Sequence, residues 1–277
     1  MFQRCLSAFF VALVGVQSPA QSVPIPVLIV SGANNHDWAW TSPALQRMLD
    51  STGRFKADIT YVPAAMLGDE DVVRHYRAIV LDYNGPRWGE PAETNFISAV
   101  RGGTGVAVIH AANNSFPGWA EYEKLVGDLW REGTGHGAYH AFDLKMLDRT
   151  HPVTAGLGEI VAHPDELYHN LVHTPGTSRT VLATAFSSKE SGGTGEDEPM
   201  ILVGRYGEGR VFHTTLGHVW PGVEDTRSSM NDPQFQRLVA RGVEWAATGA
   251  VAGDAGWITL FDGQSTGAWR GYRQSRF

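Results

Sequence analysis

Cysteine is the scarcest residue in this chain: the single thiol, Cys5, lies ahead of an apolar run that extends to Val16. Ser18-Pro-Ala20 follows in the small-x-small form of a secretory cleavage site. Residues 1–22 are therefore expected to be a signal peptide and the protein to be periplasmic or secreted. Cys5 is not positioned to serve as a lipoprotein cysteine after cleavage. The mature chain would hold no thiol, which excludes disulfides, a cysteine-ligated metal and a cysteine nucleophile together. The apolar run is too short to cross a membrane, so no span is expected once the signal is removed. Positive charge is also in deficit. Lys and Arg number 22 against 29 Asp and Glu, for a net charge of −7, which argues against a nucleic-acid partner. No P-loop, GxGxxG or HExxH sequence occurs, so phosphate loops and the fixed-spacing zinc motif lack local support.

What remains is ordinary in bulk, 43% hydrophobic and 18% charged, as expected of a chain that buries a real core. Eleven histidines and nine tryptophans are many for this length. Pro26–Gly32 reads as a buried strand ending in the polar loop Asn34-Asn-His36-Asp37-Trp38. Ser42-Pro43 offers a helix start, with Leu45, Met48 and Leu49 at helical spacing. Residues 55–62 are strand-like and residues 67–76 suit a short acidic helix. Residues 78–84 form another strand that ends in an amide, Asn84. Residues 91–101 read as a helix closed by Gly102-Gly103. Val106–Ile109 is apolar without alternation, as in a strand buried on both faces, and runs into His110, Asn113 and Asn114. This β-α-β alternation predicts a doubly wound parallel sheet. Its strand ends would gather His36, Asp37, Asn84, His110, Asn113 and Asn114 along one edge, where open α/β sheets bind ligands.

The second half is less regular. Residues 121–129 read as a helix, 133–137 as a loop, and 141–147 as a more exposed strand. Residues 151–156 suit a turn or short helix. Residues 180–185 and 200–206 are strands, and Gly207-Glu-Gly209 turns into a strand that reaches His218. Residues 233–247 form an amphipathic helix. Residues 250–277 are expected to be a glycine-rich linker and the truncated start of a further domain, too short to bury a core.

Several motifs resemble those of the ThuA-like (trehalose utilisation) family: NHDW (35–38), VIHAANN (108–114), GWAEYEKLVG (118–127), HPVTAGL (151–157), DELYH (165–169) and YGEGRVFHTTLGH (206–218), with EWAATG (244–249) closing a domain over 23–249. Residues 256–272 resemble the opening of 3-keto-disaccharide hydrolase domains. The first resemblance implies an α/β, flavodoxin-like or class I glutamine amidotransferase-like parallel sheet flanked by helices. Those amidotransferases place a cysteine on the turn after a central strand. Here that turn, His110–Ala112, has none, so glutaminase chemistry is not expected. Many relatives are acidic near position 114; Asn114 loses that base or hard ligand.

The resemblance brings His110 and His218 into one pocket, with His36 beside them and Glu166 as a candidate acid or base. Asp37 would orient an imidazole. Tyr168 is expected to pack against substrate. Trp38, Trp119 and Trp220 would stack on sugar, or in part fill the core. His36, His110, His136 and His218 are candidate ligands for a divalent metal such as zinc. His75, His151 and His213 read as structural or surface residues. The leading expectation is an exported hydrolase or lyase acting on (3-keto-)disaccharides or glycosides. The alternatives are a non-catalytic carbohydrate-binding module serving the attached domain, and a metal-dependent amide or ester hydrolase. The expected partner is a small-molecule carbohydrate; the oligomeric state has no signature.

Overall fold

The structure, a computed structural model, describes residues 23–252. The expected signal peptide and most of the expected second-domain fragment lie outside these residues. The chain order is β1 (Ile25–Val30), α1 (Trp38–Ser51), β2 (Phe55–Thr60), α2 (Pro63–Leu67), α3 (Glu70–His75), β3 (Ala78–Leu81), α4 (Ala92–Arg101) and β4 (Gly105–Ile109). After a 3-10 turn at His110–Asn114 come α5 (Ala120–Val126), the two-residue strands β5 (Asp128–Leu129) and β6 (Gly135–His136), then β7 (His140–Met146) and β8 (Ile160–Asp165). Two-residue strands β9 (Tyr168–His169) and β10 (Val172–His173) lead to β11 (Arg179–Phe186), β12 (Asp197–Tyr206), β13 (Gly209–Thr214), α6 (Ser228–Asn231) and α7 (Pro233–Thr248). No described helix is long and apolar enough to cross a membrane.

One nine-stranded sheet, ordered β2-β1-β3-β4-β13-β12-β11-β7-β8, organises the molecule. From β2 to β13 every pairing is parallel, as the alternating first half predicts. From β13 to β8 every pairing is antiparallel. The parallel strands are the most apolar: the side chains of β3 and β4 are buried throughout, because helices cover both faces. β7 instead alternates exposed and buried positions over most of its length, as a strand with one solvated face should.

α7 covers the centre of the sheet with Phe235, Leu238, Val239 and Val243, all at 0% exposure. Each such side chain contributes roughly 1.5–3 kcal/mol by leaving water. Asp232 caps this helix by accepting from the Gln234 N–H at 2.9 Å, and Gly249 ends it at φ 83°. Gly105 opens β4 where α7 ends, and a Cβ there would lie 2.3 Å from the carbonyl carbon and oxygen of Ala246. Both obstacles are backbone, so Gly105→Ala is expected to cost about 1–3 kcal/mol through overpacking. A fall in melting temperature of several degrees, with the native circular-dichroism spectrum retained, is the result to look for.

Several local expectations are corrected. α1 starts at Trp38 and contains Pro43 in its interior. Ser42 does not cap it, because its hydroxyl donates to buried Asp82 at 2.6 Å. The acidic helix is two short helices, broken at Asp69, which caps α3 through the N–H groups of Asp71 and Val72. The helix expected over 121–129 ends at Val126, and the next residues pair as β5 with β10. Residues 135–136, expected in a loop, pair with β9. β8 had no counterpart in the expected elements. Its IVAHPD sequence alternates poorly and contains Pro164, and β8 is a sheet-edge strand, where proline is tolerated.

Candidate functional site

The carboxyl ends of β1, β4 and β13 bring three histidines to one point. His36 Nε2 lies 3.2 Å from His110 Nε2, and His218 Nδ1 lies 3.3 Å from the same atom. The connection between β8 and β9 reaches over from the antiparallel side and adds Glu166, whose carboxylate is 3.1 Å from His218 Nδ1. One ligand atom from each of His36, His110, His218 and Glu166 lies within 4.8 Å of the others. His36, His218 and Glu166 share the floor of a cavity of about 530 Å³ walled by Trp130, Tyr139, Trp220 and Val223, with Asn35, Asn114 and His136 also lining it; His110 lies buried just beneath that floor. Another cleft, about 580 Å³ in volume and lined by Arg74, Arg77, Gly102, Gly103 and Arg210, lies toward the amino ends of β3, β4 and β13 and contains no histidine.

His110 opens the turn that follows β4. Its φ is +46°, a left-handed conformation that costs a non-glycine residue of order 1–3 kcal/mol and concentrates at functional sites. Its Nδ1 is 2.6 Å from the Thr215 carbonyl oxygen. A carbonyl only accepts, so Nδ1 carries the proton and Nε2 presents a lone pair to the cluster. Tyr168 donates its hydroxyl to that lone pair at 2.8 Å. His36 is fixed in the same way. Asn34 Oδ1 accepts from the His36 backbone N–H at 3.0 Å and lies 3.2 Å from His36 Nδ1. Nδ1 is therefore the donor, and Nε2 again faces the cluster bare.

Behind the histidines stand two buried carboxylates. Asp82, at the end of β3, accepts from Thr41 Oγ1 and Ser42 Oγ at 2.6 Å each and from Asn34 Nδ2 at 3.3 Å. Burial nevertheless lifts its pKa to about 6. Asp165 accepts from the backbone N–H groups of Gly217 at 2.7 Å and His218 at 3.2 Å, so it shapes the loop that presents His218.

Burial and the neighbouring imidazoles lower His36 to about 2 and His218 to about 3. Burial likewise lowers His110, against the pull of Asp165. These shifts favour the uncharged rings at neutral pH, which leaves a bare ring nitrogen able to accept rather than an imidazolium acid. Burial raises Glu166 to about 7, reinforced by Asp165 and opposed by His136. It therefore stands where a carboxylate exchanges protons most readily. Burial holds Tyr168 well above its ordinary range, and it remains a hydroxyl donor.

The candidate residues thus divide. His36, Glu166, Tyr168, His218, Asn114 and Trp220 line one cavity, and His110 touches His36, Tyr168 and His218 from beneath its floor. Tyr168, expected only to pack against substrate, points its hydroxyl into the cluster. His136 lines the cavity but turns Nδ1 to the Gly137 carbonyl at 2.7 Å, with Glu166 3.6 Å away. Glu166 takes its expected place in the cluster. Asp37 orients no imidazole; it faces Arg227 at 3.8 Å, and Asn34 and Asn35 fix His36 instead. Asn84 stands one step back, bonded to Asn35 in both directions. Asn113 is fully buried against His213, Nδ2 to Nε2 at 3.3 Å. Trp38 leans on Tyr61, ring centroids 5.8 Å apart. Trp119 is a core residue, stacked on Tyr122 at 5.7 Å and packed against Phe116 and Trp88. The wall expected of it is provided by Trp130, 4.5 Å from the Tyr168 ring, and by Tyr139. Neither had a signal beyond being aromatic near a motif. Asp82 and Asp165 read as a strand end and as part of DELYH.

The comparisons agree with this architecture. The family model described as ThuA, trehalose utilisation, matches residues 26–246. A putative ThuA-like protein from Parabacteroides merdae is 34% identical, with a TM-score of 0.75 over 83% of this chain and 92% of that one. A second putative ThuA-like protein, from Bacteroides uniformis, is 17% identical, with a TM-score of 0.65 over 84% and 95% of the two chains. A cytoplasmic protein of Salmonella typhimurium shares the fold at 15% identity, with a TM-score of 0.56 over 79% and 98%. No curated protein matches the chain. The fold is the class I glutamine amidotransferase-like α/β arrangement, and the chain belongs to the ThuA (trehalose utilisation) family.

Proposed function

We propose that this protein is an exported enzyme that acts on a 3-keto-disaccharide or 3-keto-glycoside by acid–base chemistry at Glu166. The observation that carries this reading is the convergence of Glu166, neutral imidazoles and the Tyr168 hydroxyl on the floor of an aromatic-walled cavity. A ketone at C3 acidifies the C2 proton. The Glu166 carboxylate would take that proton, leaving an enolate whose oxygen accepts a hydrogen bond, as in an oxyanion hole. The carbonyl then re-forms, a C1–C2 double bond appears, the C1–O bond breaks, and the departing alkoxide takes the proton back from Glu166. Trp220 supports a sugar ring: it is 47% exposed and stacks on His218 with 5.9 Å between ring centroids. The amino-terminal composition supports export.

The test is an NMR time course of the full chain with 3-keto-trehalose in deuterated water. Exchange of the proton beside the ketone, followed by release of glucose, is the expected outcome. Line broadening of the sugar with neither exchange nor product would overturn the enzymatic reading in favour of a binding module.

A further inference from the structure

We infer that His36, His110 and His218 bind one divalent transition-metal ion of the zinc class, with Glu166 standing free beside its fourth position. The inference extends the proposed function to the same site, and rests on that reading only for what the ion would do to substrate.

The hydrogen-bond inventory around the cluster is the first argument. The Thr215 carbonyl and the Asn34 amide oxygen commit the Nδ1 protons of His110 and His36. Their two Nε2 atoms are left as acceptors facing each other at 3.2 Å. Two acceptors cannot bond to one another, and the Tyr168 hydroxyl relieves only the His110 side. A cation between them that displaces the Tyr168 hydroxyl from His110 Nε2 turns this opposition into two bonds.

Geometry is the second argument. Zinc bonds imidazole nitrogen at about 2.0–2.1 Å, and the edges of a tetrahedron of that size are about 3.3–3.4 Å. The separations of His36 Nε2 and His218 Nδ1 from His110 Nε2 are 3.2 and 3.3 Å, and the candidate ligand atoms all lie within 4.8 Å of one another.

The surroundings are the third. Metal-bound histidines have their other ring nitrogen held by an acceptor, as His110 and His36 do. Imidazole donors from three chain segments suit zinc-like ions rather than calcium or magnesium, which prefer oxygen. The cavity leaves a way in beside Trp220, and three protein ligands leave the fourth corner to water or to a substrate oxygen, the pattern of catalytic rather than structural zinc. Such an ion would polarise the ketone oxygen as a Lewis acid. Glu166 would remain available for the proton.

The experiment is calorimetric titration of tag-free, chelator-stripped full chain with zinc chloride, with no sugar present. The cobalt(II) form is examined for the intense visible bands of four-coordination. One zinc per chain is expected. His110→Ala and His218→Ala should each weaken binding by more than the roughly 10–100-fold that losing an outer-shell partner costs. Glu166→Gln should bind within about tenfold of the parent, because three imidazoles hold the ion. His75→Ala, at an exposed site remote from the cluster, is the control. Should His110→Ala fail to fold by circular dichroism, His218→Ala and His36→Gln carry the comparison. Binding that is sub-stoichiometric, or equal in parent and ligand variants, overturns the inference. A parent that binds no zinc yet turns over keto-sugar overturns the metal site alone. Zinc binding without any sugar reaction overturns the proposed function alone.

Discussion

Asp165→Ala is expected to cost about 3–5 kcal/mol of folding stability, the range for removing one member of a buried ion pair. Asp165 is completely buried. Besides the Gly217 and His218 N–H groups, it accepts from Ser229 Oγ at 2.6 Å and its own neighbour's N–H, Glu166, at 2.7 Å. It also lies 3.1 Å from His163 Nε2, while Asp232 holds the other ring nitrogen at 2.7 Å. Burial by itself would lower His163, but the hydrogen bonds and charges of the two aspartates outweigh it and push its pKa up to about 9. Burial would likewise raise Asp165, yet the bond to His163 and its charge, with His110 and Ser229, bring it down to about 2.

These opposite shifts fix the sign of the pH dependence. His163 is raised above its ordinary 6.5, so its contribution is complete below about pH 6.5 and fades as pH climbs through about 9. Asp165 is depressed below 3.8, so its contribution is present above about pH 4 and fades as pH falls toward 2. Urea melts of the parent should give a plateau between those limits and a decline on the alkaline side. The variant should have a lower plateau and a shallower alkaline limb. A change below about 1 kcal/mol, the scale of an exposed pair, would sink this account. Asp165→Asn, which keeps an acceptor, serves as a milder comparison if the alanine variant does not fold.

Glu166→Gln is expected to lower turnover of a keto-glycoside by about 10²–10⁴, the contribution of a positioned acid–base group. The fold should be intact and sugar binding largely retained. The amide keeps the shape of the carboxyl group but takes no proton from carbon. Measured by product release under saturating sugar, the loss should appear in kcat rather than in KM. If the side chain only lined a sugar-binding surface, the same substitution would shift affinity modestly and leave any residual exchange rate untouched.

The parallel half of the sheet was legible because its strands are continuous apolar runs, such as Val106–Ile109, separated by helical spacing and ending in polar residues. His36 and His110 were legible for the same reason: each closes or follows such a run, and parallel strand ends share an edge; His218 also ends an expected strand, but its place beside them was implied only by the family resemblance. The antiparallel half was only partly legible. β8 and the two-residue strands owe their pairing to partners brought from elsewhere in the chain, not to local pattern. Tryptophans were the hardest to place. Trp119 and Trp130 lie eleven positions apart around the same helix; one joins the core with Tyr122 and the other faces the cavity, and nothing in their neighbours' polarity separates them. Asp82 illustrates a further limit. A carboxylate at the end of an apolar strand can face solvent or the interior, and only the hydroxyls of Thr41 and Ser42 make the interior tenable.

The seam between β4 and β13 has a consequence for how the molecule reaches its working form. It is a parallel pairing, and the His110–Thr215 bond at its end joins residues 105 apart in sequence. Closing so long a loop carries an entropic cost that local structure does not repay in advance. His36 and His110 belong to the first half of the chain, whereas His218 joins them only when β13 pairs with β4. The three-histidine cluster is in that sense a report on long-range closure: a nascent or clipped chain without its last third holds two corners of the triangle and lacks the third.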